Sequence, residues 1–251
     1  MRAKDTVLLA IIIATVGMPR LGCLSYHYQL IKRFLWSSEK PTVKRRINSY
    51  PVLTFNYMHN LILSNVGKHI SLEEDEQKYF ISLLSSSSIA KREFVLQAGQ
   101  PCKTICFVNA GLLRAYFLNK EGKESTVMFA MADWWITDMF CFINQQPAMI
   151  SIQAVKDSQI FQLQKSQLEQ LYDDVPKFER FFRVIMQNAY IREQLRVIQN
   201  LSLSAEERYY NFLKSYPQVA QHITQKQIAS YLGITPEFLS TLRKNRGGLI
   251  S

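Results

Sequence analysis

The stretch ITQKQIASYLGITPEFLSTLRK, residues Ile223 to Lys244, contains two short helical patterns that meet at a glycine. Its small and aliphatic residues occupy the positions that pack the two helices of a helix-turn-helix unit: Ile228, Ala229, Leu232, Gly233, Ile234, Leu239 and Leu242. The small Ala229 allows the second helix to cross closely, and Gly233 can adopt the positive φ of a tight turn. The stretch therefore predicts a C-terminal helix-turn-helix.

The second helix of this unit is expected to expose side chains toward DNA, because the N-terminal residues of such a helix enter the major groove. Glu237 can accept a hydrogen bond from a cytosine amino group, and Ser240 and Thr241 can reach bases or phosphates. The predicted DNA-binding residues are Gln225, Lys226, Thr235, Pro236, Glu237, Ser240, Thr241, Arg243 and Lys244. The alternative is a structural helical hairpin with a solvated basic end.

The charge of the chain is unevenly distributed. The formal net charge is +10, but residues 1–57 carry nine Lys or Arg against two acidic residues, and residues 58–201 carry fifteen of each sign. Residues 202–251 carry six Lys or Arg against three acidic residues, a surplus of +3 around the helix-turn-helix. A basic surplus at this place is typical of a nucleic-acid-binding surface.

A long helix is predicted upstream, from Pro176 to about Leu201. One of its stripes has the 3-4-3-4-3 spacing of a coiled-coil seam: Phe181, Val184, Asn188, Ile191, Leu195 and Ile198. We expect this seam to pair two copies in a homodimer, while a neighbouring apolar face with Phe178 and Phe182 packs on the preceding domain. The alternative is that the seam packs only on its own domain.

Short β-rich runs separated by turn residues precede the long helix. They are Phe94–Leu96, Ile105–Val108, Leu112–Leu118, Thr126–Ala130, Ile150–Ala154 and Ile160–Leu163. Turns are predicted at Asn109–Gly111 and Asp157–Ser158. The serine run Ser85–Ser88 is predicted to be an irregular segment that follows a helix. Strands at this spacing indicate an antiparallel sandwich, jelly roll or barrel.

Capping boxes, with Ser or Thr followed three residues later by Glu or Gln, predict further helix starts. They are Ser71 with Glu74, Ser166 with Glu169, Ser204 with Glu207 and Thr224 with Gln227. Thr235 before Pro236 predicts the start of the last helix.

The first 57 residues show neither the sustained apolar spacing of a helix nor that of a strand. Val7–Val16 is an apolar run behind two cations, but it is shorter than the roughly 20 residues that span a bilayer. We expect 1–57 to be a poorly structured or spuriously translated extension, with Met58 as the working start. The predicted domains that follow are a β-roll at 58–174, a dimerisation helix at 175–201 and the helix-turn-helix domain at 202–251.

The order of these parts, with LSLSAEERYYNFLKSYP before ITQKQIASYLGITPEFLSTLRK, resembles the Crp/Fnr family of bacterial transcription regulators over roughly Met58 to Lys244. The resemblance implies an α+β fold, with an N-terminal antiparallel, jelly-roll-like β-roll of the cyclic-nucleotide-binding type, flanking helices, a long dimerisation helix and a C-terminal helix-turn-helix. It also implies a cytoplasmic homodimer that binds a two-fold-related operator in double-stranded DNA and works with RNA polymerase.

The recognition helix departs from the family pattern. Family members usually carry arginines at the positions of Pro236 and Thr241, and only the glutamate at Glu237 is kept. Because an arginine can read guanine with two hydrogen bonds, the best-known operator of the family should not be assumed here.

The segment that holds cyclic AMP in some family members matches Thr137 with Asp138 and Ala148 with Met149. The arginine that neutralises the cyclic phosphate is missing, and burying a phosphodiester without a cation costs several kcal/mol. The chain is therefore predicted not to respond to cyclic AMP, although an unidentified small-molecule effector could bind among the aromatic residues from Trp134 to Phe142. The other interpretation of these aromatic residues is core packing.

Other cofactors and reactions find no support in the sequence. The four cysteines, Cys23, Cys102, Cys106 and Cys141, are not grouped for an iron–sulfur cluster, and residues 90–165 contain no histidine for a haem or a metal. No motif of a nucleophile, phosphate-binding loop or dinucleotide site occurs. We therefore predict a regulator that is not an enzyme, with no cofactor, no metal and no stable membrane association.

Two alternatives remain open. One is a small-molecule-binding β-roll protein whose helical tail mediates assembly and does not bind DNA. The other is a regulator tethered to a membrane by Val7–Val16.

Overall fold

The computed structural model describes the backbone of residues 51–247 and the side chains of residues 58–244. Predictions on residues 1–50, including the apolar run at Val7–Val16, lie outside the described part. Helix α1, Pro51–Gly67, begins before the predicted boundary at Met58. Proline fits the first turn of a helix because its missing N–H has no partner there. A helical element therefore occupies part of the segment that the sequence assigned to an extension.

An antiparallel sheet forms the centre of the described part. Its strands are β1 (Ser85–Ile89), β2 (Phe94–Leu96), β3 (Thr104–Leu118), β4 (Glu124–Met131), β5 (Trp134–Ile136) and β6 (Ser151–Gln164). The order is β1-β6-β3-β4, with β2 paired to β6 and β5 paired to β3. The predicted antiparallel β-domain is confirmed.

The predicted turns at Asn109–Gly111 and Asp157–Ser158 are wrong, because strand β3 continues through the first and strand β6 through the second. The register of this pair shifts around Ala110, so the glycine and serine mark a bulge and not a chain reversal. Gly111 has φ +99°, and a Cβ added there would lie 2.2 Å from the Ser158 Oγ. Ser158 Oγ in turn accepts a hydrogen bond from the Leu112 N–H at 3.1 Å and keeps the bulge paired.

The serine run at Ser85–Ser88, predicted as a break, forms most of strand β1. It pairs with β6 in a regular register, from Ser85 opposite Gln162 to Ile89 opposite Ser158. The strand lies at the edge of the sheet and is largely exposed, so short polar side chains are tolerated on it. The sequence missed it because it lacks an apolar face.

Helices flank the sheet. After α1, they are α2 (Glu74–Ser82), α3 (Met139–Asn144), α4 (Lys165–Asp174) and the long α5 (Lys177–Ser202). The main hydrophobic cluster joins α1, α2, α4 and the first turns of α5 to one face of the sheet, with fully buried rings at Phe80, Phe107, Phe178 and Phe181. The helical C-terminal region consists of α6 (Ala205–Ser215), α7 (Pro217–Ala220), α8 (Gln225–Leu232) and α9 (Pro236–Gly247).

Two of the predicted capping boxes, Ser71 with Glu74 and Ser166 with Glu169, are wrong. Helix α2 is capped by Glu73 with Glu76, and helix α4 by Gln164 with Gln167. In α4 the last residue of β6 is itself the cap, because the chain passes from the strand directly into the helix. The capping boxes at Ser204 and Thr224 are confirmed, each with both reciprocal hydrogen bonds.

Within the described residues, no helix has the length and apolarity needed to cross a bilayer.

Candidate nucleic-acid interface

Helices α8 and α9 form the predicted helix-turn-helix. Gly233 ends α8 in the left-handed conformation with φ +69°, and the Ile234 N–H donates to the Ala229 carbonyl at 3.0 Å. Ala229 and Leu239 are fully buried where the two helices meet. The small residue, the glycine and the aliphatic side chain thus have the roles that their spacing predicted.

The predicted DNA-binding residues are exposed. This holds for Gln225 and Lys226 at the start of α8, and for Thr235, Pro236, Glu237, Ser240, Thr241, Arg243 and Lys244 along α9. Among the described side chains of α9, only Leu239 is buried and only Leu242 is half-buried, three positions apart, as expected for a helix that packs along one side only. The structure therefore leaves a largely polar flank, with basic residues toward its end, accessible to a large partner.

A hydrophobic cluster holds the helix-turn-helix against the sheet. Tyr209 and Phe212 of α6 pack with Ile228 and Leu232 of α8, and Phe129 of strand β4 belongs to the same cluster. The rings of Phe129 and Tyr231 lie 5.7 Å apart, so contact across the two parts is direct. Burial raises the pKa of the Tyr231 hydroxyl.

A polar cluster of four residues lies where α8 meets strand β4, and we call it the docking cluster: Arg114, Glu124, Thr126 and Ser230. The Ser230 hydroxyl accepts from the Thr126 N–H at 2.9 Å and donates to the Glu124 carbonyl at 2.8 Å. Arg114 is only 4% exposed, and its guanidinium donates to Thr126 Oγ1 at 2.8 Å and to the Glu124 carboxylate at 2.7 Å. These bonds satisfy the outer edge of β4, which would otherwise be an unpaired sheet edge.

Two arginines of helix α5 reinforce this contact. Arg196 lies 4.4 Å from the centre of the Tyr231 ring and donates to the backbone carbonyls of Thr126 and Val127. Arg192 lies 4.9 Å from the centre of the Trp134 ring. The long helix thus contacts strand β4 and helix α8 through Arg196, and strand β5 through Arg192.

The predicted dimer seam on α5 is wrong at its first residue. Phe181 is fully buried in the main cluster and packs against Trp135, with ring centres 5.9 Å apart. The first turns of α5 are needed to complete the core of the sheet domain, so they cannot also face a second subunit. Val184 is half-buried, and Asn188 is exposed.

The second half of α5 carries exposed apolar side chains. Three of them belong to the predicted seam: Ile191, 39% exposed, Leu195, 36%, and Ile198, 51%. Tyr190, Val197 and Leu201 are more exposed, at 68%, 56% and 84%, and were missed by the sequence pattern. We call these six residues the apolar face of α5.

The predicted effector residues surround a buried carboxylate. Asp138 is 4% exposed and accepts hydrogen bonds from the backbone N–H groups of Met149 at 2.7 Å, Ile150 at 3.1 Å and Cys141 at 3.1 Å. Ala148 is buried, whereas the Met149 side chain is 52% exposed. Asp138 therefore joins the start of α3 to the segment before β6.

The neighbouring side chains are mostly engaged in packing. Thr137 donates to the Thr104 carbonyl at 2.9 Å, and Trp135 and Phe142 belong to the main cluster. A cavity of about 140 Å³ lies beside this segment, lined by Gly99, Pro101, Cys102, Gln145, Gln146 and Pro147. Met139 also packs against the core, so most of the aromatic run has the core-packing role.

Three of the four cysteines lie in the described part and are buried. Desolvation by burial raises the pKa of Cys106 to about 11, so this thiol stays protonated at neutral pH. Between residues 58 and 244, no group of three or more His, Cys, Asp or Glu side chains converges as metal ligands would.

Removing the Ser230 hydroxyl is expected to loosen the docking cluster. In Ser230→Ala, the Thr126 N–H and the Glu124 carbonyl lose their partner, which costs about 1–3 kcal/mol for buried groups. Amide hydrogen exchange of residues Gln225–Leu232 should accelerate accordingly. The control is Ser240→Ala, which changes an exposed serine of α9 and should leave this exchange unchanged. Equal exchange in both variants would contradict the role given to Ser230.

Comparison with known proteins gives one domain description and a consistent set of relatives. The description "Cyclic nucleotide-binding domain" matches residues 87–174. The Electron transport regulator A of Shewanella oneidensis is 25% identical over 177 residues, which cover 64% of this chain and 69% of that protein. The Fumarate and nitrate reduction regulatory protein of Vibrio cholerae is 22% identical over 217 residues, covering 82% of this chain and 85% of that protein.

The fold is also shared with a solved regulator. The structure of the global regulator CLP from Xanthomonas campestris, described as responsive to c-di-GMP, aligns with a TM-score of 0.60 at 13% identity. The alignment covers 70% of this chain and 92% of CLP. Taken with the antiparallel sheet and the exposed helix-turn-helix, these similarities show that the chain contains a region matching a cyclic nucleotide-binding domain and that it resembles transcription regulators of the Crp/Fnr type.

Proposed function

We propose that the protein is a homodimer that binds a two-fold-related operator in double-stranded DNA, with one recognition helix in each half-site. The exposed flank of α9 supports this proposal most strongly, because the predicted base and phosphate contacts lie on it while Leu239 anchors the opposite side. A twofold molecule presents two such flanks, and the symmetry of the operator then mirrors that of the protein.

The apolar face of α5 supports the dimer. Large apolar side chains on a solvent-exposed helix are unfavourable in water by about 25 cal/mol for each Å² of apolar surface, and a second copy of the helix can cover them. Ile191, Leu195 and Ile198 keep the coiled-coil spacing, whereas Phe181 belongs to the core of the sheet domain. The proposed seam therefore begins after Phe181 and includes Leu201.

The docking cluster supports a mechanism in which the recognition helix moves with the sheet domain. Arg114 and Thr126 of the sheet bind Ser230 of α8, and Arg196 of the long helix binds the same region. An effector or partner that changes the packing between the sheet domain and α5 would then change the spacing and tilt of the two recognition helices.

Asp138 supports the proposal that the protein does not respond to cyclic AMP. The N–H groups of Met149 and Ile150, which match the phosphate-binding segment of the family, already donate to the Asp138 carboxylate. A cyclic phosphate would have to displace this buried carboxylate, and the position of the missing arginine holds the buried Ala148.

The setting of the protein follows from the same proposal. A regulator of this kind acts in the cytoplasm, where DNA and RNA polymerase are present. We propose no catalytic role, no resident cofactor and no stable membrane association. An effector, if it binds in the sheet domain, must use chemistry other than that of a cyclic phosphate.

DNA binding is tested by the retention of duplex DNA at increasing salt. The full chain should bind a random-sequence duplex pool at low salt and lose affinity by nearly one log unit per log unit of salt for each neutralised phosphate. Lys244→Ala should weaken binding to all duplexes and reduce this slope by about one.

Glu237→Ala is the matched variant, because it should relax base preference at one step of each half-site and keep non-specific affinity. A protein that ignores duplex DNA at low salt would favour the alternative, a β-roll protein whose tail mediates assembly only. Uniform weakening on all sequences by Glu237→Ala would mean that this side chain does not read a base.

Cyclic AMP should have no effect on the protein. A ligand that binds only the folded state raises the melting temperature, and we expect millimolar cyclic AMP to leave both the melting temperature and the affinity for selected DNA unchanged. Inorganic sulfate at equal ionic strength is the control. A specific rise in melting temperature with cyclic AMP would show that Asp138 yields its position to the phosphate.

A further inference from the structure

The first turn of α9 exposes a large apolar ring that the sequence analysis did not assign to any role. Phe238 is 47% exposed and follows Glu237 in the sequence, while the next residue, Leu239, is fully buried. The hydrophobic cluster beneath the helix takes Leu239 and Ile234. A half-exposed aromatic ring at the centre of a DNA-facing flank indicates contact with a partner, because its exposure is unfavourable in water.

Two hydroxyl groups near Phe238 make hydrogen bonds within the helix. The Thr235 Oγ1 accepts from the Phe238 N–H at 3.2 Å, and the Thr241 Oγ1 donates to the Glu237 carbonyl at 3.1 Å. The hydroxyl proton of Thr241 is therefore not available to a base, and its methyl group is the part left for contact. Thr241 lies three residues after Phe238, so the two side chains are neighbours on the helix surface.

The first two turns of α9 thus offer a carboxylate, the exposed Ser240 hydroxyl and apolar groups, and no cation before Arg243. In the major groove, the apolar feature of a base pair is the C5-methyl group of thymine, and phenylalanine and threonine methyl groups are suited to contact it. Guanine is read best by arginine or lysine, which this part of the helix lacks.

We propose, on the basis of the DNA-binding function above, that Phe238 with the Thr241 methyl reads a thymine methyl in each half-site. The thymine lies next to the base pair that Glu237 contacts. This contact gives the protein a preference that the arginine-bearing recognition helices of its family do not require.

The test replaces single thymines by deoxyuridine, which removes only the methyl group. An operator is first selected from a random-sequence duplex pool with the full chain, and each thymine of the half-sites is then replaced in turn. We expect one position in each half-site at which uracil weakens binding about fourfold, the effect of losing one buried methyl. Phe238→Ala should bind the thymine and uracil duplexes equally at that position.

Two further variants make the result specific. Phe94→Ala removes a comparably exposed ring, 39% exposed, from strand β2 of the sheet domain, and should keep the full thymine preference. Phe238→Leu keeps an apolar side chain and should retain part of the preference. The uracil scan with the unchanged chain tests the inference even if Phe238→Ala does not fold.

The outcomes separate this inference from the function on which it rests. If selected DNA is bound but uracil equals thymine at every position, Phe238 does not read a methyl, and a protein partner becomes the remaining role for the ring. If no duplex is bound at low salt, the proposed DNA-binding function itself fails. A thymine preference that persists unchanged in Phe238→Ala would also overturn the assignment.

Discussion

The long helix α5 carries two apolar surfaces, one in its first turns and one in its second half, and the rest of the structure depends on how each of them is covered. Its first turns place Phe178, Phe181 and Phe182 in the core of the sheet domain, where they are at most 4% exposed. Its last turns carry the apolar face, which the described residues leave in water. Burial fixes the helix to its own sheet at one end, and the exposed apolar face at the other end is the surface that the proposed dimer would cover.

The docking cluster connects this helix to DNA recognition. Helix α8 covers the outer edge of strand β4, and the bonds of Ser230, Thr126 and Arg114 replace the strand partner that this edge would otherwise lack. Because Arg196 of α5 reaches the same strand, the sheet, the long helix and the helix-turn-helix are held together at one place. Pairing along α5 in the proposed dimer would then set the distance between the two recognition helices.

The sequence predicted those features that depend on neighbours in the chain. The helix-turn-helix was predictable because Ala229, Gly233 and Leu239 have local roles, and the caps at Ser204 and Thr224 depend on residues three positions away. The predicted turn at Gly111 was wrong, because the glycine makes room for the distant Ser158. The helical spacing alone could not show whether Phe181 faces the core of the sheet domain or the predicted dimer seam. The effector segment was located, but the carboxylate of Asp138 bonded to Met149 and Ile150 was not foreseen.

Contacts between residues far apart in the chain could not be predicted from the sequence. The docking cluster joins residues more than a hundred positions apart, and only Ser230 among its members lies in the helix-turn-helix stretch that the sequence shows. Phe238 was overlooked because apolar residues on an amphipathic helix are normally assigned to the buried side, and only the exposed fraction of its surface reveals its position.

Sedimentation equilibrium of two variants with the same added charge tests the proposal that the second half of α5 pairs two copies. Ile198 and Leu118 are both 51% exposed, the first on the apolar face and the second at the end of strand β3. We expect the unchanged chain and Leu118→Glu to sediment with twice the mass of one chain, whereas Ile198→Glu sediments as a single chain and loses most of its affinity for selected DNA. A single-chain mass for the unchanged protein, or an intact dimer in Ile198→Glu, would contradict it.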